Sequence, residues 1–279
     1  MSVTLANLPE WAVGPKVLLM GPPGSGKTTS IVTALKAGMK VYVVFTEAGQ
    51  QALMKSLTVH KVTEEEKKRL FFCYVKPGAS SFKTLKEQAD KVNKSMEFGK
   101  MEGGVRTSYN QLVKVMELCA NFIDQNGVVH GSIENFKADC AVFVDGLSGL
   151  SDMAMKLTIG AKPVATLQDW GVAIKQVDDF MQQFANIDAM VCVLAHVAME
   201  RDEVTGKIQQ YANTLGKQLG PKLGRHFGEV ILTSFKEAEG PRWATIDTGA
   251  DLKATFLPHK KGLAADFKPL IDAWLGSMS

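Results

Sequence analysis

A chain of 279 residues with 46% hydrophobic and 22% charged side chains has material for a sizeable core, in one large α/β domain or two small ones. A formal net charge of +3 is too small to argue, by itself, for a nucleic-acid partner. The four cysteines, Cys73, Cys119, Cys140 and Cys192, are scattered, which excludes a zinc spacing or a disulfide framework, and no apolar run reaches membrane-spanning length. The N-terminus lacks the basic and apolar regions of a signal peptide, so the expectation is a soluble, cytoplasmic protein with no membrane partner.

Residues 1–15 read as an arm that Trp11 and Pro15 pack onto the body. Lys16–Met20 is a short apolar run of the kind that forms a buried parallel strand, and Ser30–Lys36 reads as helix. Between them Gly21-Pro22-Pro23-Gly24-Ser25-Gly26-Lys27-Thr28-Thr29 fits the phosphate-loop pattern G-x-x-x-x-G-K-[ST], in the strand–loop–helix setting the pattern needs. The glycines let the backbone turn successive N–H groups toward a phosphate, and a helix opening at Lys27 adds its unpaired N–H groups and its positive end. In such a loop Lys27 reaches the β- and γ-phosphates of a nucleoside triphosphate, and Thr28 places its hydroxyl on Mg²⁺. No N-K-x-D or T-K-x-D motif for guanine occurs, so ATP is preferred to GTP.

Lys40–Phe45 is a second buried strand, running out into Thr46-Glu47-Ala48-Gly49, and a short helix from Gln50 to Leu57 is expected after it. Thr63–Arg69 reads as a polar helical turn with a solvated face, and Leu70–Val75 as a third strand ended by Pro77-Gly78. Ser80 or Ser81 would cap a helix running toward Phe98, with a surface loop over 99–104. Apolar residues at helical spacing predict a helix from Ser108 to Gln125, then a loop from Gly127 to Lys137. Asp139–Asp145 is the fourth strand. Ser151–Pro163 reads as a mobile or partner-facing loop, Thr166–Ile187 as a long amphipathic helix, and Ala189–Ala195 as the fifth strand. Alternation of helix and strand is the signature of a mostly parallel α/β sheet wound on both faces. Glu229–Phe235 and Arg242–Asp247, joined by a turn-rich segment, give a C-terminal antiparallel hairpin, and a helix over Ala264–Leu275 closes the chain. The expectation is one domain over 1–279, with 1–15 an arm and 250–279 a C-terminal extension.

Three side chains at strand ends complete a candidate site. Asp145, at the tip of four apolar residues, suits a Walker B carboxylate binding Mg²⁺; the alternative is an aspartate capping a turn. The position after it, where many ATPases carry a catalytic glutamate, is Gly146. Glu47 is then the candidate base, since the carboxyl ends of neighbouring parallel strands share one crevice; the alternative is a solvated loop glutamate. His196 ends the fifth strand, where it either touches the γ-phosphate or is satisfied by local hydrogen bonds. From Val204 to Gly228 no acid occurs, while Lys207, Lys217, Lys222 and Arg225 do. That stretch is a candidate polyanion surface with Tyr211 and Phe227 for base stacking, or else an amphipathic helix with a solvated basic face. Lys222 or Arg225 is also a candidate for reaching a neighbouring subunit's ATP.

Together GPPGSGKTT, VYVVFTEAG ending in Glu47, AVFVDGLSGL with Asp145, and VCVLAHV with His196 resemble the RecA-type ATPase core, and in particular the compact RecA/RadA-like ATPases of tailed phages. The segment YANTLGKQLGPKLGRHFGEVILTSF resembles the phage subgroup more than RecA itself. The resemblance spans about Lys16 to Asp247. It implies a RecA-like P-loop fold, ATP and Mg²⁺ as cofactors, Glu47 as the hydrolytic base, and DNA-binding loops after the sensor strand. It also implies a homo-oligomeric ring or filament with ATP between subunits, and a role in recombination or strand annealing on single-stranded DNA. A single-strand-binding protein would be a further partner. His196 stands where the family usually has Gln. Two alternatives stay open: a non-catalytic ATP switch that loads a replication or recombination partner, and a P-loop kinase.

Overall fold

The computed structural model describes residues 3–76, 82–94, 109–160, 162, 164–201 and 206–279. The apolar runs become strands because each is buried on both sides, and the amphipathic segments between them supply the covering layers. In chain order the elements are β1 (Lys16–Gly21), α1 (Lys27–Lys36), β2 (Lys40–Phe45), α2 (Gln50–Val59), α3 (Glu64–Lys67), β3 (Leu70–Tyr74) and α4 (Phe82–Lys94). They continue with α5 (Gln111–Ala120), the short strands β4 (Phe122–Ile123) and β5 (Val129–Gly131), β6 (Cys140–Asp145), α6 (Leu147–Ile159) and α7 (Leu167–Ala185). The C-terminal part holds β7 (Met190–Arg201), β8 (Ile208–Ala212), α8 (Gly216–Lys222), β9 (Glu229–Lys236), β10 (Gly240–Ala244), β11 (Leu263–Ala264) and α9 (Lys268–Gly276).

The main sheet runs β11-β10-β9-β1-β7-β6-β2-β3, with β8 paired to β7 beyond that path. From β9 to β3 all pairings are parallel, while β10 and β11 extend it antiparallel. The expected fold class is therefore what forms, including the C-terminal hairpin. Side chains alternate between two cores. Leu18, Met20, Val142, Val144 and Val193 face α5, α6 and α7; Val17, Leu19, Val43, Phe143 and Leu194 face α1, α2 and α9. Register brings Gly21 opposite His196, and Phe45 and Leu194 opposite Asp145, so one edge of the sheet collects the polar strand ends.

Several expectations are corrected. Ser151–Pro163 is not a loop over its described part: α6 covers it to Ile159, burying Leu147, Leu150, Met153 and Ala154 at helical spacing, and Gly160 ends it at φ 60°. The helix expected to reach Gln125 stops at Ala120, because Asn121 leaves helical geometry and the chain turns into β4. Asp124 then pins a small hairpin, β4 with β5, that runs from the end of the expected helix into the expected 127–137 loop, its Oδ1 accepting from the N–H groups of Asn126 and Val128 and its Oδ2 lying 3.0 Å from His130 Nε2. The fifth strand runs past Ala195 to Arg201, and α9 begins at Lys268 rather than Ala264, with Pro269 in its first turn. The expectations for 77–81 and 95–108 lie outside the described residues.

The arm packs through Leu5, Leu8, Ala12 and Pro15, the last two buried, but not through Trp11, which is 69% exposed. Trp274 Nε1 donates to the Val13 carbonyl at 3.0 Å, tying α9 to it. The 250–279 segment is fastened by Glu229, fully buried at the start of β9. Its Oε1 accepts from the N–H groups of Thr255 (2.7 Å) and Phe256 (2.6 Å), and burial raises its pKa despite those bonds.

Candidate active site

The phosphate loop follows β1 as expected. Gly26 sits at φ 91° as the residue before α1, and a Cβ there would lie 2.6 Å from Pro241 Cγ, so both backbone and neighbour require glycine. The loop is closed from the far end of the chain: Thr233 Oγ1, on β9, donates to the Ser25 carbonyl at 2.9 Å. Ser25 Oγ donates to the Pro22 carbonyl at 2.7 Å. Lys27 Nζ donates to the Gly21 and Pro22 carbonyls at 2.8 and 2.9 Å. Burial lowers the Lys27 pKa, against the attraction of Asp145 and Glu47.

Thr28 Oγ1 donates to Asp145 Oδ2 at 2.8 Å, so the two predicted Mg²⁺ ligands meet. Burial pushes the Asp145 carboxyl up to about 6, with Glu47 adding to it and Thr28 and Lys27 opposing it. A hydroxyl and a carboxylate oxygen side by side, next to a phosphate loop, form the donor set that suits a hard, oxygen-seeking cation shared with a triphosphate.

Glu47 lies two residues beyond β2, between two partners. Its Oε1 accepts from the Gly149 N–H at 2.8 Å, and its Oε2 is 3.2 Å from His196 Nε2. His196 Nδ1 is buried without a hydrogen-bond partner among the described residues. Gly146 stands at φ 117°, and a Cβ on it would lie 2.5 Å from Glu47 Cγ. The space that a side chain after Asp145 would enter is thus filled by Glu47 reaching across from β2. Lys27, Thr28, Glu47, Asp145 and His196 line one cleft of about 480 Å³, together with Pro23, Gly24, Gly26, Thr29, Phe235 and Pro241. Sequence reasoning missed Thr233, Phe235, Pro241 and the Gly149 amide. The hairpin was legible, but not its docking over the loop.

The basic segment is built differently. It contains β8, which pairs antiparallel with the outer half of β7, then α8 and a 3₁₀ turn at Leu223–His226, and is not one amphipathic helix. Lys207 precedes β8 and is exposed. Lys217 Nζ lies 2.9 Å from Glu200 of β7, and Arg225 and His226 both hold Asp178 of α7. Lys222 is exposed at the end of α8. Segments that carry acids thus neutralise part of a stretch that has none of its own. The segment is tied to the cleft: the Asn213 N–H donates to the His196 carbonyl at 2.7 Å, and the Ser151 and Thr214 hydroxyls are 2.8 Å apart.

The AAA domain family model matches residues 14–262. The chain belongs to the AAA domain family. As a member of this family of P-loop ATPases, the AAA domain spans most of the chain, from the end of the arm to the segment before β11. Among solved structures, it is similar to the RadB recombinase, at 18% identity over 90% of this chain and 86% of that one, with a TM-score of 0.41. It is also similar to a prototypical ATPase from the type III secretion system of pathogenic bacteria, at 10% identity over 81% of this chain and 53% of that one, with a TM-score of 0.39. No curated protein matches it. No helix among the described residues of this AAA domain protein is long and apolar enough to cross a membrane.

Proposed function

We propose that the chain is an ATP-hydrolysing, RecA-like protein that binds single-stranded DNA and assists homologous recombination or strand annealing, of the kind carried by tailed phages and acting in the host cytoplasm. The observation that carries the hydrolytic part is the Glu47 carboxylate, held between the Gly149 amide and His196 at the mouth of the phosphate loop. The loop from Gly21 to Thr29 would hold the triphosphate of ATP, with Lys27 at the β- and γ-oxygens and Thr28 and Asp145 holding Mg²⁺. When bound, Mg²⁺ neutralises charge developing on the transferred phosphoryl group. Glu47 then takes the proton of the attacking water, and its contacts with the Gly149 amide and His196 hold the carboxylate in position. His196, on the strand between those of the loop and of Asp145, is the group that registers the γ-phosphate.

The hydrogen bond from Asn213 to the His196 carbonyl supports the second half of the reading, because it links that register to the segment bearing Lys207, Lys217, Lys222 and Arg225. Assembly into a ring or filament, with Lys222 or Arg225 reaching a neighbour's ATP and a single-strand-binding protein as further partner, belongs to the same proposal. The rival is a non-catalytic ATP switch that loads a replication partner. Gly146 alone would favour it, but Glu47 fills the space beside that glycine. The test is ATP turnover with and without single-stranded DNA, with assembly size followed by light scattering. Stimulated turnover and altered size are expected; if the strand changes neither, the reading fails.

A further inference from the structure

A second cavity of about 440 Å³ opens beside the basic segment and shares no lining residue with the nucleotide cleft. Its volume lies in the range of small-ligand sites, about 300–1,000 Å³. The floor is apolar and belongs to the central sheet, with Leu18 and Met20 from β1 and Val230 from β9. One wall is Tyr211 of β8. That ring is fixed twice: its hydroxyl donates to Glu200 Oε2 at 3.1 Å, and it packs so closely on Gly220 that a Cβ there would lie 2.5 Å from Tyr211 Cδ2. The rim carries Lys222, Lys253 and Arg225, with Asp251 as the acidic member, its Oδ2 accepting from Gln209 at 3.1 Å. Lys253 is bonded to the Phe227 carbonyl at 3.0 Å and Arg225 is engaged by Asp178. Lys222, exposed on the rim, is therefore the cation best placed for a ligand.

An apolar floor, a rigid aromatic wall and a cationic lip ask for a flat ring with an anion attached. A purely apolar ligand would leave Lys222 unused, and a polyanion without rings would leave the Tyr211 wall without a partner. We propose that this cavity receives one nucleobase with its phosphate, the base against Tyr211 and the phosphate at Lys222. For the source of that base the proposal rests on the single-strand reading above. The same chemistry is offered by a free mononucleotide. Tyr211 is two residues from Asn213, whose N–H holds the His196 carbonyl, so a base seated here bears on the strand that carries the γ-phosphate register.

The test uses the full chain and three ligands: oligothymidylate, an abasic strand of equal length, and dTMP. Titration with dTMP is done in Lys27→Ala protein to silence the phosphate loop. The wild type is expected to prefer the base-bearing strand by roughly 5- to 100-fold, the range that stacking of one base supplies. Tyr211→Ala should erase the preference and Tyr211→Phe should keep it, while Lys222→Gln should reduce the salt slope by about 1. Equal binding of the two strands by the wild type overturns the cavity proposal and leaves the single-strand reading standing. If neither strand binds but dTMP does, and Tyr211→Ala alone loses it, the cavity stands with a free nucleotide as its ligand and the single-strand reading fails. If none of the three binds, both fail.

Discussion

The nucleotide cleft and the β8–α8 segment are both polar surfaces at the sheet edge, yet they handle charge in opposite ways. In the cleft, Lys27, Asp145 and Glu47 are drawn into one space from three strand ends, and burial pushes Lys27 down and Asp145 up. In the segment, charges that look unopposed along the chain meet acids from elsewhere, Glu200 and Asp178. A crowded site whose groups contest each other's charge is built for chemistry. A surface whose charges are partly neutralised can read a polyanion only through the groups left over.

Four predictions press on that contrast. The largest effect is expected for Glu47→Gln, which keeps the side chain's shape but removes the proposed base. Turnover should fall by about 10²–10⁴-fold in a phosphate-release assay with ATP affinity retained; retained turnover would return hydrolysis to another group. Gly146→Ala should act on the same carboxylate by contact, since the new Cβ meets Glu47 Cγ. A displacement of about 1 Å costs on the order of 10²-fold in turnover, and forcing a side chain to φ 117° costs about 1–3 kcal/mol of stability. In a Glu47→Ala background the part of the stability loss owed to Glu47 should vanish while the contact with Thr46 Oγ1, 2.8 Å from the new Cβ, stays, which a double-mutant cycle by chemical denaturation measures.

In the segment the prediction is an inequality. Lys222→Gln should lower the salt slope of single-strand binding by about 1, whereas Arg225→Gln should leave it nearly unchanged, and Asp178→Asn should raise affinity by freeing Arg225. Equal slopes for the two single variants would mean that the ion pair with Asp178 opens on binding. The smallest effect is expected at Glu229. Its raised pKa means that the folded chain holds the proton more tightly than the unfolded one, so the contribution is present at low pH and lost as pH rises through the folded-state value. Compared with Glu229→Gln, the wild type should therefore gain stability as pH falls from about 8 into the carboxylate range, a shift of a few degrees in Tm.

The phosphate loop was legible because its chemistry needs residues adjacent in sequence. Asp145 and Glu47 were legible because strand ends of a parallel sheet share an edge, so a polar residue after an apolar run has few other places to go. What contiguity does not encode was missed. The Thr233 and Pro241 clamp depends on which edge of β1 the hairpin joins, and Asp178 opposite Arg225 depends on how α7 lies against the 3₁₀ turn. The error at α6 has a local cause: Gly149 and Gly160 flank or interrupt a run rich in Met and Ser, and the composition hides a helix that only burial of Leu147, Leu150 and Met153 stabilises.

The docking of the β9–β10 hairpin over the loop also sets a timetable. β1 leaves the ribosome before the segments it pairs with: its two neighbours in the sheet, β7 and β9, and the Pro241 that seats on Gly26 come some 170 to more than 200 residues later. At about 5–20 residues per second, that leaves a finished nucleotide motif without its flanking strands for roughly 10–45 s. Throughout that interval Val17-Leu18-Leu19-Met20 is an apolar segment without its strand partners, a template for wrong pairing. A triphosphate that needs the hairpin-clamped loop would be a ligand of the completed chain rather than a template for the growing one.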